Sequence, residues 1–192
     1  MRGWAILSVW DKSGLEELAR ALVGADYGLL ATSKTGEVLR GAGFNVTDVA
    51  QWTGAPEVLK GRVKTLHPKI AAGILSFRDD KMIEPIDFVV CNLYPFADGL
   101  RQGLGLKEMI ELIDIGGVTL LRAAAKNWLY VTAVPEPKYY PEVIAELRSH
   151  GEVSRGQRLR LAQATFELTS RYDGMICSYF AEIVDRYPDF QV

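Results

Sequence analysis

The chain has 192 residues, with 22 Lys and Arg against 24 Asp and Glu, two His, two Cys, and 48% apolar residues. This ordinary globular balance argues against disorder, and the formal charge of −2 gives no general attraction to nucleic acid or an anionic membrane. A chain this long can bury about 70% of its unfolded surface, so it needs neither a metal nor a disulfide to fold.

The elements follow in order. Trp4 to Val9 reads as a buried strand that ends in a polar Asp-Lys-Ser-Gly turn. Ser13 with Glu16 has the form of a capping box, and Leu15, Leu18, Ala19 and Leu22 then recur at helical spacing. Tyr27 to Ala31 reads as a second strand, Thr32 to Gly36 as a polar turn, and Glu37 to Arg40 as part of a short helix. Phe44 to Val49, Ile86 to Leu93 and Tyr130 to Val134 complete the strands. Tyr140, Val143, Ile144 and Leu147 form one late helical stripe, and Ile176, Tyr179, Phe180 and Ile183 form another. The polar, basic segment 149–160 is expected to be a hinge.

Apolar strands alternating with amphipathic helices predict an α/β fold, a mainly parallel sheet flanked by helices, with a helical C-terminal extension. Residues 1–150 are expected to form the core. Residues 151–192 are expected to form an extension packed on it within the same domain. No apolar run reaches the length of a membrane span, and the short N-terminal run does not read as a signal peptide. Cys91 and Cys177 lie far apart in apolar surroundings, which predicts reduced, buried thiols and a cytoplasmic location.

In open parallel sheets, ligands bind beyond the carboxyl ends of the strands. Four polar segments fall there: Ser8 to Gly14, Thr32 to Gly36, Asn92 to Phe96, and Asp114 to Gly117. Gly, Ser, Thr and Lys at a strand-to-helix turn suit an anion, because backbone N–H groups at the helix start point outward. Asp11-Lys12-Ser13-Gly14 and Ser33-Lys34-Thr35-Gly36 have this form, although helix capping explains either one equally well. Arg62, Lys64 and Lys69 with His67 make either an electropositive wall or a solvated basic loop. Asn92 and Tyr94 either face a ligand or close a strand. Asp114 reads as a cap or a base, Gly116 and Gly117 allow close backbone approach, and Lys126 reads as a partner of a helix dipole. No second His stands near His67, and no metal site is expected.

Four words carry a resemblance. They are Ser8-Val9-Trp10-Asp11-Lys12-Ser13-Gly14, Gly61-Arg62-Val63-Lys64-Thr65-Leu66-His67-Pro68, Cys91-Asn92-Leu93-Tyr94-Pro95-Phe96, and the run from Ile113-Asp114-Ile115-Gly116-Gly117 to Ala125-Lys126-Asn127. In this order they resemble the IMP cyclohydrolase domain of the bifunctional purine biosynthesis family, over nearly the whole chain.

The resemblance implies a methylglyoxal-synthase-like fold and ring closure of 5-formamidoimidazole-4-carboxamide ribonucleotide (FAICAR) to IMP and water, without a cofactor or metal. It maps catalytic positions onto Lys64, Tyr94, Asp114 and Lys126. It maps substrate-binding positions onto Ser8, Lys12, Ser13, Thr32, Ser33, Lys34, Thr35, Gly36, Arg62, Thr65, Asn92 and Gly116. The chain departs from the family pattern at Ser33-Lys34, near the usual glycine pair of the phosphate turn, and at Trp10, Ala71 and Leu168, where the family has Ser, His and His. A free-standing cyclohydrolase or an isolated domain is implied, since there is no room for the family's formyltransferase domain. The implied partners are the nucleotide, a second copy in a homodimer, and a separate formyl-transferring or FAICAR-forming enzyme; no nucleic acid or membrane is expected. The runner-up is a regulatory module of the same fold that binds a phosphorylated effector without catalysis.

Overall fold

The computed structural model describes residues 1–186. Five strands, β1 (Gly3–Val9), β2 (Tyr27–Ala31), β3 (Val46–Asp48), β4 (Ile86–Asn92) and β5 (Thr132–Val134), form one sheet in the order β3-β2-β1-β4-β5. Every pairing is parallel. The chain winds outward from β1 to β3, then crosses back so that β4 pairs with β1 on its other side. This reversal makes the crevice beyond Val9 and Asn92, which are register partners, the topological switch point.

Strand alternation explains the two layers. Ala5, Leu7 and Val9 point to the face covered by α1 (Leu15–Gly24) and α8 (Tyr140–His150). Ile6, Val89 and Cys91 point to the face covered by α3 (Val49–Thr53), α4 (Pro68–Leu75) and α7 (Gly116–Lys126). A smaller cluster forms where α5 (Phe96–Gln102) and α6 (Leu106–Glu111) meet the last helix, α9 (Arg155–Arg186), around Phe96, Met109 and Tyr172. Burying both faces is why the strands read as near-continuous apolar runs.

Several expectations need correction. The proposed capping box at Ser13 does not form. Gly14 is the N-cap of α1 in the left-handed region (φ 70°), and the Ser13 N–H donates to Asp11 Oδ1 at 2.9 Å instead. Residues Ser33 to Gly36 are not a turn but the first turn of helix α2 (Ser33–Gly41), with Thr32 as its extended N-cap. The third strand is shorter than Phe44 to Val49, because Asp48 caps α3 by accepting from the Ala50 N–H at 2.9 Å.

The expected hinge at 149–160 is not a hinge either. α8 runs to His150 and α9 starts at Arg155, while Val153 between them is buried in the core. The stretch is polar because it presents helix ends to water. Leu161 joins one core cluster, Leu168 packs against the second, and Tyr172 belongs to the third, so α9 is fastened along its length. Cys91 is buried as expected, but Cys177 is exposed, because it lies on the solvent side of α9. Among the described residues, no helix is long and apolar enough to cross a membrane.

Candidate functional site

The loops beyond the strand ends bring most of the chemically interesting side chains together. Asn92, last in β4, is 8% exposed, and its amide makes three hydrogen bonds to backbone groups. Its Oδ1 accepts from the Trp10 N–H at 2.6 Å and the Asp11 N–H at 2.8 Å, and its Nδ2 donates to the Asp11 carbonyl at 3.0 Å. Asn92 therefore shapes the loop after β1. That loop carries Trp10, whose ring meets Tyr94 edge-on at 5.4 Å, and Lys12, whose ammonium donates to the Val9 and Trp10 carbonyls.

On the other side of β1, Thr35 is buried and locks α2 to the strand, donating to the Val9 carbonyl and accepting from its N–H, both at 3.3 Å. Thr32 donates to the Ser8 hydroxyl at 3.4 Å. The Gly36 N–H is used inside the helix, bonded to the Thr32 carbonyl. The N–H groups of Ser33, Lys34 and Thr35 have no acceptor within the helix, which is the usual state of a helix start. Lys34 is exposed there and close enough to Lys12 to repel it. Partial burial, reinforced by Lys34, holds the Lys12 ammonium below its ordinary pKa. Two cations beside N–H groups left without partners inside the helix gather at this helix start the kind of donors that suit an anion.

Lys64, half-buried, reaches this turn: its ammonium donates to the Ser33 hydroxyl at 3.3 Å and pairs with Glu57 at 3.6 Å. Thr65 then sets the next contact. A Cβ on Gly116 would lie 2.7 Å from Thr65 Oγ1, so a side chain at 116 would force the loop away from α7. Gly117 is constrained from the other side, since a Cβ there would lie 2.5 Å from Asp114 Oδ2. The Asp-Ile-Gly-Gly word therefore has a packing cause: both glycines let the start of α7 press against Thr65 and Asp114.

Of the two readings its sequence position allowed, a cap or a base, the structure shows the first for Asp114. It caps α7 through a 2.6 Å bond from the Gly117 N–H. Burial nevertheless raises its pKa above the ordinary carboxylate value, although the Gly117 and Tyr94 N–H groups pull the other way. A half-buried carboxylate whose pKa is raised by burial, beside a phenol, has the makings of a proton-transfer group. The Tyr94 hydroxyl is pushed up by burial, then by Asp114, Cys91 and Glu57.

The structure does not gather every candidate. Lys126 ends α7, an 11-residue helix that begins at Gly116, so it stands about 15 Å along the axis from the Asp114 end. It is exposed, and among the described residues it forms no ion pair. Arg62 is exposed and pairs with Glu111 on α6 at 3.1 Å. Ser13 is exposed on the rim.

Sequence reasoning missed Tyr172, whose hydroxyl accepts from the Asp114 N–H at 2.9 Å and donates to the Leu112 carbonyl at 2.6 Å. It also missed Glu57; neither residue lies in a recognisable motif. A cleft of about 600 Å³ opens beside the cluster, between Trp10, Tyr94, Pro135, Glu136, Leu168 and Tyr172.

Comparison with known proteins adds to this geometry. The MGS-like domain model matches residues 14–119, and the AICARFT/IMPCHase bienzyme model matches residues 124–191. The bifunctional purine biosynthesis protein PurH of Thermosynechococcus vestitus is 49% identical over 191 residues, covering 93% of this chain and 37% of its own length. That of Persephonella marina is 43% identical over 197 residues, covering 96% of this chain and 38% of its own length. The chain thus spans little more than a third of these curated relatives. The crystal structure of ForH superposes with a TM-score of 0.78 at 32% identity, covering 94% of this chain and all of that one.

Proposed function

We propose that this chain, which belongs to the MGS-like domain family, is an IMP cyclohydrolase that closes FAICAR to IMP and water. The observation that carries the reading is the placement of Lys64. One ammonium touches Ser33 in the anion-binding helix start, and its loop continues through Thr65 onto Gly116 beside Asp114. A phosphate at the helix start and a reacting base near Asp114 would then be ends of one substrate.

The reaction joins the carboxamide nitrogen to the formyl carbon and expels the formyl oxygen as water. Neither group is reactive, so the first contribution is orientation, worth up to about 7–11 kcal/mol in ideal cases. In this reading Ser33, Lys34, Lys12 and the α2 N–H groups hold the phosphate, and the Thr65 and Gly116 walls hold the imidazole. Asp114 takes the proton from the carboxamide nitrogen. Lys64 polarises the formyl oxygen and supplies one of the two protons with which it leaves as water; Asp114 returns the other, and the formamido N–H proton, released as the ring C=N bond forms, restores Lys64. Tyr94, between them, hydrogen-bonds the developing charge. The catalytic set is therefore Lys64, Tyr94 and Asp114, with Lys126 outside it in the single chain. Asn92 and Thr35 build the site through the backbone.

The same reading makes the substrate the product of a formyl-transferring activity, whichever chain carries it, and places the work in the cytoplasm, where purine nucleotides are made. We further propose that two copies pair through the apolar residues that α9 leaves in water, Phe166, Phe180 and Val184; sedimentation would show a dimer. The deciding experiment adds FAICAR to purified protein and follows the absorbance change of ring closure. Turnover supports the enzyme. Nucleotide binding without turnover would instead support a regulatory module of the same fold.

A further inference from the structure

The C-terminal helix reaches the reacting carboxylate through one hydroxyl. Tyr172 is 3% exposed on α9, 58 residues after Asp114 in sequence. Its oxygen accepts from the Asp114 N–H at 2.9 Å and donates to the Leu112 carbonyl at 2.6 Å. One phenol thus bridges two backbone groups on either side of Ile113, just before the start of α7. Its ring is fixed in turn by Phe96, edge-on at 6.1 Å. Phe96 opens α5, directly after the Tyr94 loop, so the same contact also steadies the strand exit that faces Asp114.

We propose that Tyr172 is a positioning residue for catalysis, fixing the Asp114 loop so that the carboxylate keeps its place and its partial burial. The proposal rests on the cyclohydrolase reading, in which Asp114 is the base. No other hydrogen bond between α9 and residues 112–117 occurs among the described residues. The hydroxyl is consumed by backbone groups, so its effect on the reaction passes through loop geometry rather than through substrate. The titratable groups around the carboxyl are the Tyr94 phenol on the β4–α5 loop, the Cys91 thiol on β4 and Tyr172 itself on α9. A loosened loop admits water to the carboxyl and lets its raised pKa relax toward the ordinary value.

The test compares Tyr172→Phe with Tyr179→Phe. Tyr179 lies on the same helix and also packs edge-on against Phe96, at 5.8 Å, without a bond to the loop. Kinetics with FAICAR are measured across pH, and amide hydrogen exchange is measured on both variants. We expect Tyr172→Phe to lower kcat about tenfold with KM within about twofold, and to move the acid limb of the kcat profile to lower pH. Exchange at the Asp114 amide should accelerate while β4 amides keep their protection; Tyr179→Phe should change none of these.

An active wild type whose Tyr172→Phe variant keeps its kcat and acid limb overturns the positioning role. So does a kcat loss accompanied by general loss of protection in β4, which marks a merely structural residue. A wild type that does not close FAICAR at all overturns the parent reading instead.

Discussion

Lys64 donates a hydrogen bond to Ser33 across 3.3 Å, joining the loop before α4 to the first turn of α2. This single contact links the proposed acid of the reaction to the proposed phosphate cradle, and it separates two kinds of variant. Lys64→Met removes the charge that would polarise the formyl oxygen. Its kcat should fall at least about 100-fold, the lower end of acid–base effects. Ser33→Ala removes a hydroxyl from the cradle only, so KM should rise while kcat stays within a few fold. Steady-state kinetics with FAICAR decide. Equal kcat losses in the two variants would mean that Lys64 acts by holding Ser33.

Asp114 offers a prediction about stability as well as rate. Asp114→Asn should lower kcat by about 100-fold or more and leave nucleotide binding nearly intact. Burial holds the native carboxyl above its unfolded value of 3.8, so the folded state favours the protonated form. That contribution to stability is complete below the unfolded pKa and is lost as pH rises through the higher folded one. The asparagine variant has no such loss. Measured by thermal denaturation at a series of pH values, the Tm of the variant relative to wild type should therefore climb as pH rises above about 4 and level off once Asp114 is ionised. A difference that falls with pH would show that the N–H groups of Gly117 and Tyr94 outweigh burial.

Asn92 is predicted to matter for the shape of the site. Asn92→Ala leaves the Trp10 and Asp11 N–H groups and the Asp11 carbonyl without their partner. These bonds are part-buried, and losing such bonds costs about 0.5–1.5 kcal/mol each, so the melting temperature should drop by a few degrees. The freed loop carries Lys12 and Trp10, so KM should rise as well. Unchanged KM in a destabilised variant would confine Asn92 to the fold.

The sheet was legible because both of its faces are buried. Within the strand read at Ile86 to Leu93, Phe88 to Cys91 are apolar at four successive positions, and that signal survives without any partner in view. The long-range roles were not legible. Asn92 presents one amide to three backbone groups of two residues 81 and 82 positions away, and nothing local distinguishes that from a side chain aimed at a ligand. Ser13 fitted the capping pattern, but Gly14, in the left-handed region, takes the cap position. Lys126 shows the opposite limit. A motif places it with Asp114 in sequence, while the length of α7 carries it to the opposite end of that helix, about 15 Å along the axis. Asp-Ile-Gly-Gly was readable as a close-approach word, but its two contacts, with Thr65 and with Asp114 itself, needed the tertiary structure.

Lys12 supplies a prediction in the alkaline range. Its ammonium is held below its ordinary value of 10.5 by partial burial and then by Lys34, with Asp11 opposing. A bound phosphate places negative charge beside it and stabilises the protonated form. Binding should therefore take up protons once the pH approaches the lowered pKa, and the affinity for IMP should fall as pH rises through it. Isothermal titration in two buffers of different ionisation enthalpy measures that uptake directly. Lys12→Met should bind more weakly at neutral pH and lose most of the alkaline pH dependence. Lys34→Gly should raise KM, flatten its salt dependence and, by removing a repulsive neighbour, move the onset of the fall to higher pH. Wild-type affinity that stays flat throughout the alkaline range, with no proton uptake, would take Lys12 out of the phosphate cradle and leave it as a brace for the Val9 and Trp10 carbonyls.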